Sequence, residues 1–182
     1  MHNLSMATLA GLSVAVALSA CSPEQNWREV SFDGTSVKAQ LPCKPDRTTR
    51  SVPLGGVPLD MQVVGCESGN ATLAVMTVAL PSATDANALL TGWQQATLRN
   101  AQVKEPRNES PRAVWQGAGF LPLAASVRIQ AQGQRGDGRA VAVDAAWGAV
   151  PEGDHVRLVH AVVYATGKTD DLANTLMEGL RP

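Results

Sequence analysis

The run Val127–Ala165, VRIQAQGQRGDGRAVAVDAAWGAVPEGDHVRLVHAVVYA, decides the fold class. The first strand is read over Leu123–Ala131, where Val127, Ile129 and Ala131 alternate with Arg128 and Gln130. Period-two alternation of apolar and polar residues marks a strand with one buried face. Gly133–Gly138 reads as a turn. Beyond it, over Arg139–Trp147, the residues Val141, Val143, Ala145 and Trp147 share one face of a second strand. Pro151–Asp154 turns the chain again, and His155–Ala165 forms a third strand. Strands joined by turns this short must be antiparallel, because a parallel pair needs a crossover of a dozen residues or more.

Working outward, Trp27–Phe32 and Thr35–Leu41 flank Asp33-Gly34, a strong hairpin signal. Residues 42–58 hold four prolines, the pair Gly55-Gly56 and the cations Lys44, Arg47 and Arg50, and are expected to form one long loop. Leu59–Cys66 and Ala71–Leu80 read as strands joined by a turn at Glu67–Asn70. Pro81 ends the second of these. Thr84 or Asp85 can cap a helix over 84–100, where Ala88, Leu89, Trp93, Ala96 and Leu98 recur at roughly helical spacing. A polar loop over 104–112 and a short strand at Ala113–Gln116 lead back to the opening run. After it, Leu172, Leu176 and Leu180 place an apolar stripe on a helix over 169–181, capped by Thr169 or Asp170. The expected order is four strands, a helix, three or four strands and a helix. That is an α+β domain: a single antiparallel β-sheet with two flanking helices.

The N-terminus carries an address. Residues 1–20 contain no Asp, Glu, Lys or Arg, and Leu4–Ala20 is almost wholly apolar or small. Leu18-Ser19-Ala20-Cys21 fits the bacterial lipobox, so residues 1–20 are expected to be a lipoprotein signal peptide and Cys21 the acylated first residue of the mature chain. Two or more acyl chains anchor a protein durably, at about 0.8 kcal/mol per buried CH₂. Residues 21–26 then form the lipidated Cys and tether, and residues 27–182 one globular domain facing the periplasm. Ser22, where Asp would signal inner-membrane retention, favours the outer membrane.

Net charge is -1, with no basic face announced, which disfavours nucleic acid as a partner. Once Cys21 takes lipid, Cys43 and Cys66 remain, and in an oxidising compartment two leftover cysteines are expected to pair. No metal site and no cofactor are expected. His155 and His160 lie five positions apart on one strand and point to opposite faces. No Gly-x-Ser-x-Gly nucleophile motif or phosphate loop is present. Glu152, Asp154, Asp33 and Asp137 fall in turns, and Asp170 and Asp171 suit a helix N-terminus. Arg135-Gly136-Asp137 matches an adhesion tripeptide but reads most simply as a hairpin turn.

The opening pattern, an aromatic residue followed by Phe32-Asp33-Gly34, a short strand and Leu41-Pro42-Cys43-Lys44-Pro45, resembles small exported bacterial domains of the PsbP/Mog1/DcrB superfamily. The central helix after Pro81, the Gly136-Asp137-Gly138 turn and the closing helix extend the resemblance along the mature chain. It implies an α/β/α sandwich and no catalytic residues, since such domains are mostly assembly factors or accessory subunits. Taken with the anchor, it points to a non-enzymatic envelope lipoprotein that binds a protein partner, with Lys44, Arg47 and Arg50 as a possible contact loop. The alternative is a small-ligand binder with a pocket between a helix and the sheet, lined by Trp93 and Trp115.

Overall fold

In the computed structural model, residues 25–81, 85–103 and 113–182 are described. The signal peptide, Cys21 and Ser22 lie outside them, as do Thr84 and the 104–112 loop. Nine strands and two helices follow in order: β1 Arg28–Ser31, β2 Lys38–Leu41, β3 Asp46–Leu54, β4 Val57–Ser68, β5 Ala71–Leu80, α1 Ala86–Asn100, β6 Ala113–Val114, β7 Val127–Gln134, β8 Ala140–Glu152, β9 His155–Ala165 and α2 Asp170–Glu178.

The class is α+β and every strand pairing is antiparallel, but the strands do not form the expected single sheet. Seven of them make one sheet in the order β3-β4-β5-β9-β8-β7-β6, and β1-β2 is a separate two-stranded sheet. The reason lies in the small hairpin's apolar residues. Val30, Phe32, Val37, Ala39 and Leu41 are all buried in one cluster with Leu73, Val75, Val159, Ala161 and Val163 of the large sheet. The hairpin lies on that sheet's face, where its side chains leave water, and does not extend its edge.

The 42–58 loop is the second correction. Residues 46–54 are strand β3, hairpin partner of β4 from Asp46↔Gly65 to Leu54↔Val57. The prolines bracket this hairpin and do not interrupt it. Pro42 and Pro45 precede β3, while Pro53 and Pro58 pair with each other beside the turn. Proline is tolerated in an edge strand. Gly55 and Gly56 have φ of +64° and +83°, the two positive values that a tight primed turn requires. Residues Asp46–Ser51 are all exposed, so no apolar alternation announces the strand.

The large sheet is covered on both faces. On one, Leu90 and Trp93 of α1 pack with Val78, Val143, Trp147, Leu158 and Val162. On the other, Ala173, Leu176 and Met177 of α2 join the small hairpin. Asp85 caps α1, its side chain accepting from the backbone N–H groups of Asn87 and Ala88. The closing helix ends at Glu178; Leu180 beyond it is still buried, and Arg181 forms a backbone bridge with Lys38 on β2.

Cys43 and Cys66 form the expected disulfide, with Cα atoms 6.0 Å apart. Because β2 and β4 belong to different sheets, the bond ties the small hairpin to the large sheet just where β3 begins. For a closed loop of this size the chain-entropy argument gives about 3 kcal/mol. Replacing both cysteines with Ala is therefore expected to lower unfolding stability by about that amount, read as a drop in the denaturant midpoint at unchanged slope.

Candidate functional site

The strand alternation that builds the sheet also sets where polar groups can go. On β8 the odd positions Val141–Ala149 face α1, and the even positions face α2. Asp144 is an even position with Ala142 and Ala146 on either side, so its carboxylate points under α2 with nothing larger beside it. It is wholly buried. Register sets Gln130 opposite Asp144 on β7, with Arg128 one pair along on the same face. Arg128 donates to Asp144 through Nε at 2.7 Å and Nη2 at 2.8 Å, and Gln130 Nε2 donates to Oδ2 at 2.7 Å. Arg128 Nη2 also donates to Asn174 Oδ1 on α2 at 2.8 Å. The Asp144 carboxylate raises the Arg128 pKa above its ordinary value, first by hydrogen bonding.

This network borders a cleft of about 380 Å³ walled by Trp115, Arg128, Asn174, Met177, Glu178 and Leu180. Trp115 is half-buried and meets Phe120 edge to face, with ring centroids 4.7 Å apart. Both rings lie over Gly148, where a Cβ would come within 2.8 Å of each. Glycine on β8 thus lets two aromatic rings rest on the sheet. Trp93, by contrast, is carried by α1 and buried against the opposite face of the sheet. The cleft at Trp115 therefore does not include Trp93. The gap between a helix and the sheet is a smaller cavity of about 240 Å³ at the end of α1, bordered by Asn100, Ala101, Tyr164 and Thr72.

Lys44, Arg47 and Arg50 come to the sheet's open edge and not to a loop. Arg47 and Arg50 lie on β3, and Lys44 lies just before it. Arg47 Nη1 donates to Ser31 O at 2.6 Å, holding the edge to the small hairpin. Together with Thr48, Cys66 and Glu67 these cations border a shallow cleft of about 560 Å³.

A second internal ion pair closes the other end of the sheet. Arg157 Nε donates to Glu152 Oε2 at 2.8 Å, Arg157 Nη2 reaches Gly34 O, and Thr35 Oγ1 donates to Glu152. Glu152 therefore does more than fill a turn. Asp137 of the Arg135–Asp137 tripeptide is held by its neighbour Arg139, whose side-chain and backbone N–H groups lower the carboxyl's pKa.

His155 and His160 point to opposite faces of β9, as their spacing predicts. His155 is exposed beside Asp154. His160 is enclosed on the α1 face, stacked on Trp147 with centroids 4.5 Å apart and met edge-on by Trp93 at 5.3 Å. Its Nδ1 lies 3.0 Å from Ala146 O, and since a carbonyl only accepts, Nδ1 carries the proton. Burial lowers its pKa to about 4. Among the described residues no three His, Cys, Asp or Glu side chains cluster as metal ligands would.

Sequence reasoning passed over Asp144. The available signal was a carboxylate inside the apolar run Ala140–Trp147, facing the polar side of a strand that carries Arg128 and Gln130. The chain matches no model of a known protein family, and no curated protein is similar to it.

Two outcomes follow from these buried groups. Between pH 6.5 and about 4 the unfolded chain protonates His160 and the native state does not. Stability should therefore fall as pH drops through this window, by about 3 kcal/mol in all. His160→Gln should flatten that slope in denaturant titrations between about pH 7 and pH 5. Asp144→Ala strands Arg128 and should cost about 3–5 kcal/mol, whereas Asp144→Leu combined with Arg128→Met should recover most of it. Equal losses in the single and double variants would contradict the pairing account.

Proposed function

We propose that this protein is a lipid-anchored bacterial envelope lipoprotein that binds a protein partner and does no catalysis. The anchor is acylated Cys21, on the strength of Leu18-Ser19-Ala20-Cys21 after an uncharged apolar run. Ser22 supports residence in the outer membrane, facing the periplasm. A helix on each face of an antiparallel sheet also suits the α/β/α sandwich of the PsbP/Mog1/DcrB superfamily, and the proposed accessory or assembly role is in keeping with that resemblance.

The observation that carries the partner reading is the edge strand β3. It runs nine residues, is paired on one side only, by β4, and is exposed from Asp46 to Ser51. The far edge, β6, is two residues long. A long unpaired edge is a template for strand addition by an extended segment, whose main chain supplies affinity while side chains supply choice. Arg47 and Arg50, with Lys44 at the strand's start, favour an acidic segment. The charges that select such a partner also oppose self-pairing of two copies.

The second reading, a small-ligand lipoprotein, has the Trp115–Arg128 cleft in its favour. Photocrosslinking in native membranes separates the two. With a crosslinker in place of Thr48, a discrete protein adduct is expected that Arg50→Glu removes without changing the melting temperature. Cys21→Ala should leave an unprocessed precursor that takes up no labelled fatty acid. Absence of an adduct from Thr48 would defeat the partner reading, and normal processing of Cys21→Ala would defeat the anchor.

A further inference from the structure

We infer that the cleft between Trp115 and α2 is a binding site for a small neutral ligand bearing an amide carbonyl, with Arg128 as its donor. The site lies near the sheet edge opposite β3 and is independent of the partner reading.

Arg128 is fixed before any ligand arrives. Nε and Nη2 are occupied by Asp144 and Asn174. Nη1, with two N–H groups, has no partner among the described residues. The side chain is 22% exposed, and it borders the cleft. A guanidinium locked on three sides offers its remaining donors at little further entropy cost, which is how preorganised sites gain affinity. Stability alone gives little reason for such an arrangement, since an apolar pair of similar volume would be as stable or more so.

The charges select the ligand. Arg128 is already neutralised by Asp144, and Arg181 is engaged by Glu29. Glu178 stands on the rim. Arg181, which also lines the cleft, shares Glu29 with Lys38, so the cations and carboxylates around the cleft balance once Glu178 is counted; an entering carboxylate gains no net attraction there and a neutral acceptor fits better. The apolar part of the wall is the half-buried indole of Trp115 with Met177 and Leu180, beside the polar Gln116, Asn174 and Arg181. They suit the flat face and methyl group of an acetylated amine. A cleft of about 380 Å³ lies within the usual range for small-ligand sites.

N-acetylglucosamine and N-acetylalanine methylamide carry this chemistry on a sugar and on a peptide respectively, and acetate carries the charged alternative. The purified domain with its disulfide intact is titrated with each, observing the acetyl methyl by saturation transfer and the Trp115 indole N–H in the protein spectrum. At least one amide should bind in the millimolar range and shift the Trp115 signal, and which one does so identifies the source. Acetate should bind at least about tenfold more weakly. Arg128→Lys, which keeps the charge but loses the fork, and Trp115→Ala should each weaken binding about tenfold. Failure of both amides to bind the unaltered protein, a shift confined to other tryptophans, or equal binding of acetate would overturn the inference. Should either variant fold poorly, as near-UV circular dichroism would show, the indole shift in the unaltered protein still decides.

Discussion

The central hairpin β8–β9 must bury both of its faces, and the rest of the architecture answers to that requirement. From Val141 to Val150 every β8 residue except Ala142 is buried, and β9 is buried from Arg157 to Val163. A strand wet on one face would alternate apolar with polar. Here the alternation is between two apolar surfaces, so each face needs a cover. Helix α1 supplies one and the pair of α2 with the small hairpin supplies the other. Because the residues involved are mostly Val and Ala, the covers approach closely, and large side chains fit only where a neighbour gives way, as Trp115 and Phe120 do over Gly148.

A sheet dry on both sides makes every polar group within it costly unless paired. Asp144 and Arg157 are each met by an ion partner and by a further side-chain or backbone group, while His160 stays uncharged and gives its one proton to a carbonyl. Trp147 Nε1 and Thr77 Oγ1 lack partners among the described residues, and each such orphan costs about 1–3 kcal/mol. Among the described residues the fully buried side-chain atoms without a partner are thus neutral ones, the order of priority that desolvation dictates.

What the sequence made legible follows the same physics. The run Val127–Ala165, the α1 segment and the Cys43–Cys66 pair all announce themselves because burial leaves a periodic trace or because pairing exhausts the options. Strand β3 leaves little trace: Asp46–Ser51 are all exposed and only Val52 and Leu54 at its end pack inward, so charge and proline there look like a loop. The separation of β1–β2 from the main sheet was equally hidden, since an apolar face reads the same whether the hairpin joins an edge or lies across a face. Asp144 was visible as a letter out of pattern. Its partners were visible too, but only the register of β7 against β8 brings them together.

The small hairpin is the hub joining the two candidate surfaces. Towards β3 it is held by Cys43–Cys66 and by Arg47 on Ser31; towards the Trp115 cleft it is held by Arg181, which bridges Lys38 and pairs with Glu29. The chain enters this same hairpin at Trp27, with Asn26 N–H donating to Pro42 O at 2.8 Å. If Cys21 bears the lipid as proposed, the few residues between it and Asn26 reach at most about 18 Å when fully extended. The hairpin would then sit within one tether's length of the bilayer, with the β3 edge and the cleft on either side of it. Whatever engages either surface must also work close to the membrane, which favours occupants already confined there over ones that diffuse freely.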